Sequence, residues 1–167
     1  MRKWVIILLI LLLLVTVAVW SLTDKKDGVK SEVNNTPPVS EVLADLIADK
    51  HKTAAIISEN IEATQQLREI VVKELGESLI ADALFSSSEN DFQTMLLGIA
   101  EVEPEALVIN VESLAAGEMI INQIKKLGLK TELYSDKIFN NAEGLIIVGE
   151  DNKIQKIING ETVLVSD

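Results

Sequence analysis

Few residues in this sequence have a type and spacing that could do chemistry. The single histidine, His51, lies between Lys50 and Lys52 on the polar side of a predicted helix. A lone exposed histidine titrates near neutral pH but needs partners to act as a base or a ligand. Ser86–Ser88 could offer a nucleophile, yet no motif places a base beside them. With no cysteine in the chain, thiol catalysis, disulfides and Cys-ligated metals are excluded.

Carboxylates are abundant, and two groups of them could attract a hard cation. Glu101, Glu103 and Glu105 flank a proline, and residues 150–152 place a Glu, an Asp and an Asn in a predicted turn. Calcium needs several converging oxygens, and neither group has the spacing of a calcium loop. The sequence therefore predicts no catalytic, cofactor-binding or metal-binding residues and a protein that is not an enzyme. A carboxylate-based hydrolase stays open, since such sites need no local motif.

The segment Trp4–Trp20 has no charge, glycine or proline. As a helix it covers about 26 Å, close to the roughly 30 Å of a bilayer's hydrocarbon core. A cleaved signal peptide is the alternative, because Arg2 and Lys3 precede the apolar run, but no clean cleavage site follows. We predict a single-pass signal-anchor over residues 1–22. The short N-terminus favours a C-terminal domain outside the cytoplasm.

Charge and composition characterise the residues after the apolar segment. The 167 residues carry a net charge of −11, which argues against nucleic acid as a partner and against lying flat on anionic lipid. Residues 23–39 are polar and contain Gly28, Pro37 and Pro38, the composition of a flexible tether. An acidic domain held away from the membrane on a tether is expected.

Residues 40–85 show apolar positions at a helical spacing of three and four. The pattern predicts a helical stalk or a helical subdomain, with a break at Gly76. A stalk would pair subunits, whereas a subdomain would pack on its own domain. The candidate interaction face consists of Leu43, Ile47, Ala54, Ile57 and Ile61.

Residues 86–167 predict a small mixed α/β domain that opens with a short helix. Ser113 and Gly128 have the residue types of the start and end of a second helix. Within that helix, Gly117 predicts close packing of the helix against the sheet. Asn159-Gly160 is a strong signal for a two-residue hairpin turn. The last 65 or so residues predict the order β-α-β-β-β-β, so the expected fold class of the chain is α+β, with a transmembrane helix and a helical segment before the small domain.

Residues 106–162 resemble the C-terminal domain of the E-type peripheral-stalk proteins of archaeal and vacuolar-type ATP synthases. The resemblance rests on the runs ALVINV, KKLG, LKTELYSD and EGLIIVGEDNKIQKIINGET. The related stator proteins of flagellar and type III export are similar too. In layout, a short span before a helical stalk and a small domain is similar to assembly proteins of type IV pili and type II secretion. The resemblance implies a stalk protein and supplies no catalytic residues.

Together these features predict a non-enzymatic, single-pass, membrane-anchored scaffold or assembly protein with an acidic extracytoplasmic domain. Alternatives are a peripheral-stalk-like subunit with a cytoplasmic domain, and a membrane-tethered ligand-binding module or hydrolase. The predicted partners are the membrane, proteins of a membrane complex and further copies of the chain, without nucleic acid or cofactor. Candidate contact surfaces are the helical face and any exposed edge of the C-terminal strands.

Overall fold

The computed structural model describes residues 37–140, 142–149 and 151–166. All of them belong to one compact unit, residues 36–167. No helix in the described ranges is long and apolar enough to cross a membrane. The predicted span Trp4–Trp20 and nearly all of the predicted tether, residues 23–39, lie outside the described residues.

The described residues form four α-helices and seven strands. The helices are α1 Val39–Lys50, α2 Glu62–Leu75, α3 Gln93–Glu101 and α4 Leu114–Leu127. The strands are β1 Ala54–Glu59, β2 Leu79–Phe85, β3 Ala106–Asn110, β4 Glu132–Ser135, β5 Ile146–Val148, β6 Ile154–Ile158 and β7 Glu161–Ser166. A 3-10 turn at Gly76–Ser78 joins α2 to β2.

All seven strands form one sheet in the order β2-β1-β3-β4-β5-β6-β7. The first five in this order are parallel to their neighbours, and the last two pairings, β5–β6 and β6–β7, are antiparallel. The order 2-1-3-4-5 is that of a doubly wound α/β fold. The chain moves outward from β1 to β2 and then crosses back to β3, so the winding reverses between β1 and β3.

Helices cover both faces of the parallel part. Ile56 and Val108 face α1 and α2 in one buried cluster, and Ile57 and Ile109 face α3 and α4 in the other. Every residue of β1 is buried, as expected of a strand packed on both faces. The core therefore lies on the two sides of β1 and β3, and the carboxyl ends of these strands open at one edge of the sheet.

This architecture confirms a mixed α/β domain but differs from the predicted α+β arrangement. Strands β1 and β2 lie inside the segment 40–85 that was predicted to be helical, and the sheet is continuous through residues 54–166. A short, uniformly apolar run such as Ala54–Ile57 cannot be told from a buried helix by periodicity alone. The sequence prediction gave this run the period of a helix, whereas it forms a strand. The prediction therefore omitted the parallel half of the sheet.

The C-terminal part agrees with the sequence. The observed order β3-α4-β4-β5-β6-β7 is the predicted β-α-β-β-β-β. Ser113 caps α4 through a hydrogen bond from the N–H of Ala116 to its Oγ, and Gly128 ends α4 in the left-handed conformation. Asn159 and Gly160 both have positive φ, 54° and 76°, as the predicted turn requires.

Candidate functional site

The candidate site lies where the winding of the sheet reverses. In doubly wound folds, ligands bind outside the carboxyl ends of the strands at this switch point. Here the adjacent strands β1 and β3 end at Glu59 and Asn110. We call the segments at this edge, residues 58–60, 86–88, 110–114 and 135–138, the carboxyl-edge crevice, after the crevice that doubly wound folds have at this place.

The buried side chain of Glu59 holds the segments of the crevice together. Its side chain is 3% exposed, and Oε2 accepts hydrogen bonds from the backbone N–H groups of Glu112 at 2.9 Å and Ser113 at 3.2 Å. Burial raises the pKa of Glu59, but bonds from Ser87, Ser113 and Glu112 and the charge of Lys137 outweigh it and hold the pKa below its usual value. The buried carboxylate therefore stays ionised and fixes the start of α4 against the end of β1.

A second buried polar group fixes the start of α2. The Nδ2 of Asn110 donates to Ser58 Oγ at 3.1 Å and to the carbonyl oxygen of Thr64 at 2.8 Å. The hydroxyl of Thr64 donates to the carbonyl oxygens of Glu59 and Ile61. These polar atoms satisfy one another, so their role is to hold α2 and β3 in place beside the crevice.

Exposed side chains surround the buried Glu59 and Asn110. Asn60, Ser87 and Ser113 offer hydrogen-bonding groups, and Leu114 and Ile138 are 54% and 55% exposed. A rim that combines polar groups with two solvent-facing apolar side chains can contact a small molecule with a polar end and an apolar body.

Charge at the rim comes from the loop after β4 and the start of α4. The ammonium group of Lys137 donates to Glu112 Oε2. Burial raises the pKa of Asp136, although the charge of Lys137 opposes it, and Asp136 Oδ1 has no hydrogen-bond partner among the described residues. One cation and two carboxyl groups therefore lie together at the carboxyl end of β4.

The rim of the crevice is exposed to solvent at Asn60, Ser87, Ser113, Leu114 and Ile138. Two cavities of about 440 and 420 Å³ lie at the opposite, amino edge of the sheet and share Leu129, Lys130 and Thr131. They lie at the other end of the strands from the switch point, so neither cavity belongs to the carboxyl-edge crevice. A small molecule at the crevice would need a second surface to enclose it.

The residues that the sequence singled out for chemistry lie elsewhere or on the rim. His51, expected on an exposed helix face, follows α1 at the amino edge of the sheet and is largely buried. Its Nε2 lies 2.8 Å from the Tyr134 hydroxyl and 3.0 Å from Glu132 Oε2. Ser86 and Ser88 bond each other in the exposed loop after β2, which belongs to the crevice.

The two predicted carboxylate groups do not converge. Glu105 accepts the N–H of Lys52, and Asp151 pairs with Lys153 at 2.6 Å. Within the described ranges no group of three or more His, Asp or Glu side chains could hold a metal ion.

The predicted interaction face is divided among three parts of the fold. Leu43 and Ile47 lie in α1, Ala54 and Ile57 lie in β1, and Ile61 precedes α2. The first four are buried in the domain's own core, so the five do not share one helical surface.

Sequence reasoning missed Glu59 and Asn110, the two side chains that organise the crevice. The available signal was a polar residue directly after an apolar run, in AAIISEN and in ALVIN. Using it required recognising the first run as a strand parallel to the second.

No protein-family model matches the chain, and no curated protein sequence matches it. Solved structures do share its fold.

An amino acid ABC transporter substrate-binding protein from Pseudomonas fluorescens Pf-5 has a TM-score of 0.57 at 17% identity, over 67% of this chain and 34% of that chain. A solute-binding protein of an ABC transporter from Rhodopseudomonas palustris BisB5, in complex with 3,4-dihydroxybenzoic acid, has a TM-score of 0.57 at 13% identity, over 66% and 35%. An extracellular ligand-binding receptor from Desulfohalobium retbaense DSM5692 has a TM-score of 0.55 at 18% identity, over 65% and 22%. The chain thus spans about a third or less of each of these proteins.

These likenesses correct two predictions. The resemblance to the peripheral-stalk proteins of ATP synthases is wrong, because the structural neighbours are solute-binding proteins. The predicted membrane-anchored scaffold, with its stalk-like alternative, is overturned by the same finding. The described domain has the fold of one part of the solute-binding proteins of ABC transporters.

Proposed function

We propose that this domain binds a small organic molecule at the carboxyl-edge crevice, as one part of a binding unit that closes on its ligand. The observation that carries the proposal is the switch point itself. The winding reverses between β1 and β3, and the buried Glu59 fixes the start of α4 at that place. Such a preorganised edge loses little entropy when a ligand binds.

The exposed rim of the crevice supports the idea of a second surface. Ligand sites occur preferentially between domains, and periplasmic binding proteins close two domains around their ligands. The chain spans only part of the length of its structural neighbours. In this proposal a second domain, from another chain or another part of a longer one, completes the site.

The rim favours a small carboxylic acid with an apolar body. The ammonium group of Lys137 can attract a carboxylate, which would replace Glu112 as its partner; the start of α4 is already occupied by the Glu59 carboxylate. Leu114 and Ile138 can contact the apolar body. The named ligand of the Rhodopseudomonas neighbour, 3,4-dihydroxybenzoic acid, belongs to this class.

We further propose an extracytoplasmic location and binding without catalysis. The receptor from Desulfohalobium is described as extracellular, in keeping with the location expected from the sequence. The anchored polar groups Glu59 and Asn110 are held by backbone and side-chain partners, and that arrangement supports a rigid surface more than a reacting group.

A ligand screen with a matched pair of variants tests the proposal. The full chain, kept in a non-ionic detergent because residues 4–20 carry no charge, is heated with amino acids and hydroxybenzoic acids. A ligand at about ten times its Kd should stabilise the fold by about 1.4 kcal/mol, a rise in Tm of roughly 5 °C for a domain of this size.

Asn60 and Asn122 are both exposed, at the crevice and on α4 respectively. Asn60→Trp should abolish the shift by filling the crevice, and Asn122→Trp should retain it. Equal shifts in the two variants, or none with any compound at about 10 mM, well above a weak Kd of about 1 mM, would contradict the proposal.

A further inference from the structure

A cavity of about 440 Å³ lies at the amino edge of the sheet, where α3 and α4 both end. Ala100 and Pro104 line it from the end of α3, and Leu127 and Leu129 line it from the end of α4. Its volume falls in the range of cavities that hold small molecules. It shares no residue with the carboxyl-edge crevice, so a molecule bound here would be a second ligand.

Both helices present the negative ends of their dipoles to this cavity. The last carbonyl groups of a helix have no partner within the helix and point out of its end. Pro104 has no N–H that could bond such a carbonyl of α3, and α3 has no basic residue in its last turn. The two lysines in the last turn of α4, Lys125 and Lys126, do not line the cavity. The helix ends therefore favour a cation.

Glu103 adds a carboxylate to the cavity wall. Its backbone has φ 49°, a left-handed conformation that glycine adopts freely and that is uncommon for glutamate. Residues in such conformations cluster at binding and active sites. The carboxylate of Glu103 forms no hydrogen bond or ion pair with another described residue, so it can receive a cation from solution.

The side chain of Thr131 offers a second acceptor. Its Oγ1 is buried and has no hydrogen-bond partner among the described residues, and a buried hydroxyl without a partner is costly. Thr131 lines the cavity, and rotation about its χ1 exchanges the methyl group and the hydroxyl between staggered positions. A donor bound in the cavity would therefore satisfy a group that the domain leaves unpaired.

We propose that this cavity binds the ammonium group of a small primary amine that has an apolar body. A primary ammonium has three N–H donors, and the cavity offers three kinds of acceptor: the Glu103 carboxylate, the Thr131 hydroxyl and the carbonyls at the end of α4. Pro104, Leu127 and Leu129 contact the apolar body. The net charge of −11 attracts a cation to the domain and repels an anion.

Lys130 is the one cation among the lining residues, and it opposes the ligand. Its side chain is exposed, and it forms no ion pair with Glu103. The ammonium group of a lysine sits on a long flexible stem, so it can move into solvent when the ligand enters. Removing this charge should strengthen the binding of the amine.

A titration with phenethylamine, followed by NMR of the isotope-labelled full chain in a non-ionic detergent, tests the proposal. The amide signals of Gly128, Lys130 and Thr131 should move along one saturation curve with a Kd of about 1 mM, and those of Asn60 and Ser87 in the crevice should stay in place. Phenethyl alcohol keeps the apolar body without the charge, and the N,N,N-trimethyl derivative keeps the charge without the N–H donors. Each should bind about tenfold more weakly, the effect of losing roughly one hydrogen bond to a charged group.

Matched variants separate the site from the net charge of the chain. Glu103→Gln should raise the Kd about tenfold. Glu101→Gln removes the same charge from an exposed residue at the end of α3 that does not line the cavity, and it should leave the Kd unchanged. Lys130→Met should lower the Kd. Unfolding midpoints verify that all three variants fold.

Three results would overturn the proposal. Equal effects of Glu103→Gln and Glu101→Gln would show that the amine responds only to the charge of the whole chain. Signals that move at Asn60 and not at Thr131 would place the amine in the crevice. No movement at about 10 mM amine, ten times the expected Kd, would show that the cavity does not bind this class of molecule.

Discussion

The ring nitrogen Nε2 of His51 lies 2.8 Å from the hydroxyl of Tyr134, although 83 positions separate the two residues. The hydroxyl in turn donates to Glu132 Oε2 at 2.8 Å, and His51 Nε2 also lies 3.0 Å from that oxygen, so the Nε2–H is shared between the hydroxyl and the carboxylate. The Glu132 Oε1 atom faces Lys156 Nζ at 3.5 Å. This network joins the end of α1 to β4 and β6 at the amino edge of the sheet.

We predict that Tyr134→Phe lowers the free energy of unfolding by about 1–2 kcal/mol, since a buried hydrogen-bonding group loses its partners. Tyr134 is fully buried, and burial, the bond to Glu132 and its charge raise the pKa of the phenol, so the donor stays protonated. Urea denaturation of the single variants and of Tyr134→Phe/Glu132→Gln measures the coupling. Additive losses would mean that the two side chains do not act together.

The free energy of unfolding should decrease as the pH is lowered, and Glu132 should account for part of the decrease. Burial raises the pKa of Glu132, but the bond from Tyr134, the charge of Lys156 and the bond from His51 together lower it. The unfolded state then binds more protons than the folded state as pH falls. The stabilisation that Glu132 provides is fully present above its pKa in the unfolded state, about 4.3. It is lost as the pH falls through its lower pKa in the folded state.

Glu132→Gln should accordingly flatten the dependence of the unfolding free energy on pH between about 5 and 3. The matched control is Glu77→Gln in the exposed 3-10 turn, which should keep the slope of the parent chain. The same slope in both variants would show that Glu132 is not part of the acid response.

Two glycines in helices should respond to alanine in opposite directions. A Cβ added to Gly117 in α4 would lie under 3 Å from the Phe139 ring, whereas one added to Gly98 in α3 meets nothing within 4 Å. Gly117→Ala should cost about 1–2 kcal/mol, because overpacking outweighs the gain in helix propensity. Gly98→Ala should stabilise by up to about 1 kcal/mol. Thermal unfolding compares the two, and a stabilising Gly117→Ala would show that Phe139 is free to move away.

The parts of the fold that the sequence predicted well depend on local chemistry. Helix α4 is defined by a serine cap and a terminal glycine, and the last hairpin by Asn159-Gly160, so each end is specified within a few residues. Close packing at Gly117 was also foreseen, although its partner is a ring from the loop after β4 and not the sheet surface.

The parts that were missed depend on contacts distant in sequence. No residue near Ala54–Ile57 indicates that this run is flanked by β2 and β3. Parallel strands are joined by crossover helices, so their pairing depends on segments that are distant in sequence. Glu59 likewise looks like any surface glutamate until Glu112 and Ser113, more than fifty positions away, are brought to its carboxylate. Because β1 was predicted to be part of a helix, the sequence could not predict the candidate site.

The hairpin that carries β7 provides the last prediction. Gly160 has φ 76°, and its N–H and that of Asn159 both donate to the Glu143 carboxylate. Gly160→Val should destabilise the domain by more than about 1 kcal/mol, because a β-branched residue is strained at positive φ. Asn159→Gly is the control and should be tolerated, since glycine adopts the φ of 54° at that position without strain. Chemical denaturation measures both, and an unchanged midpoint for Gly160→Val would mean that the turn rearranges.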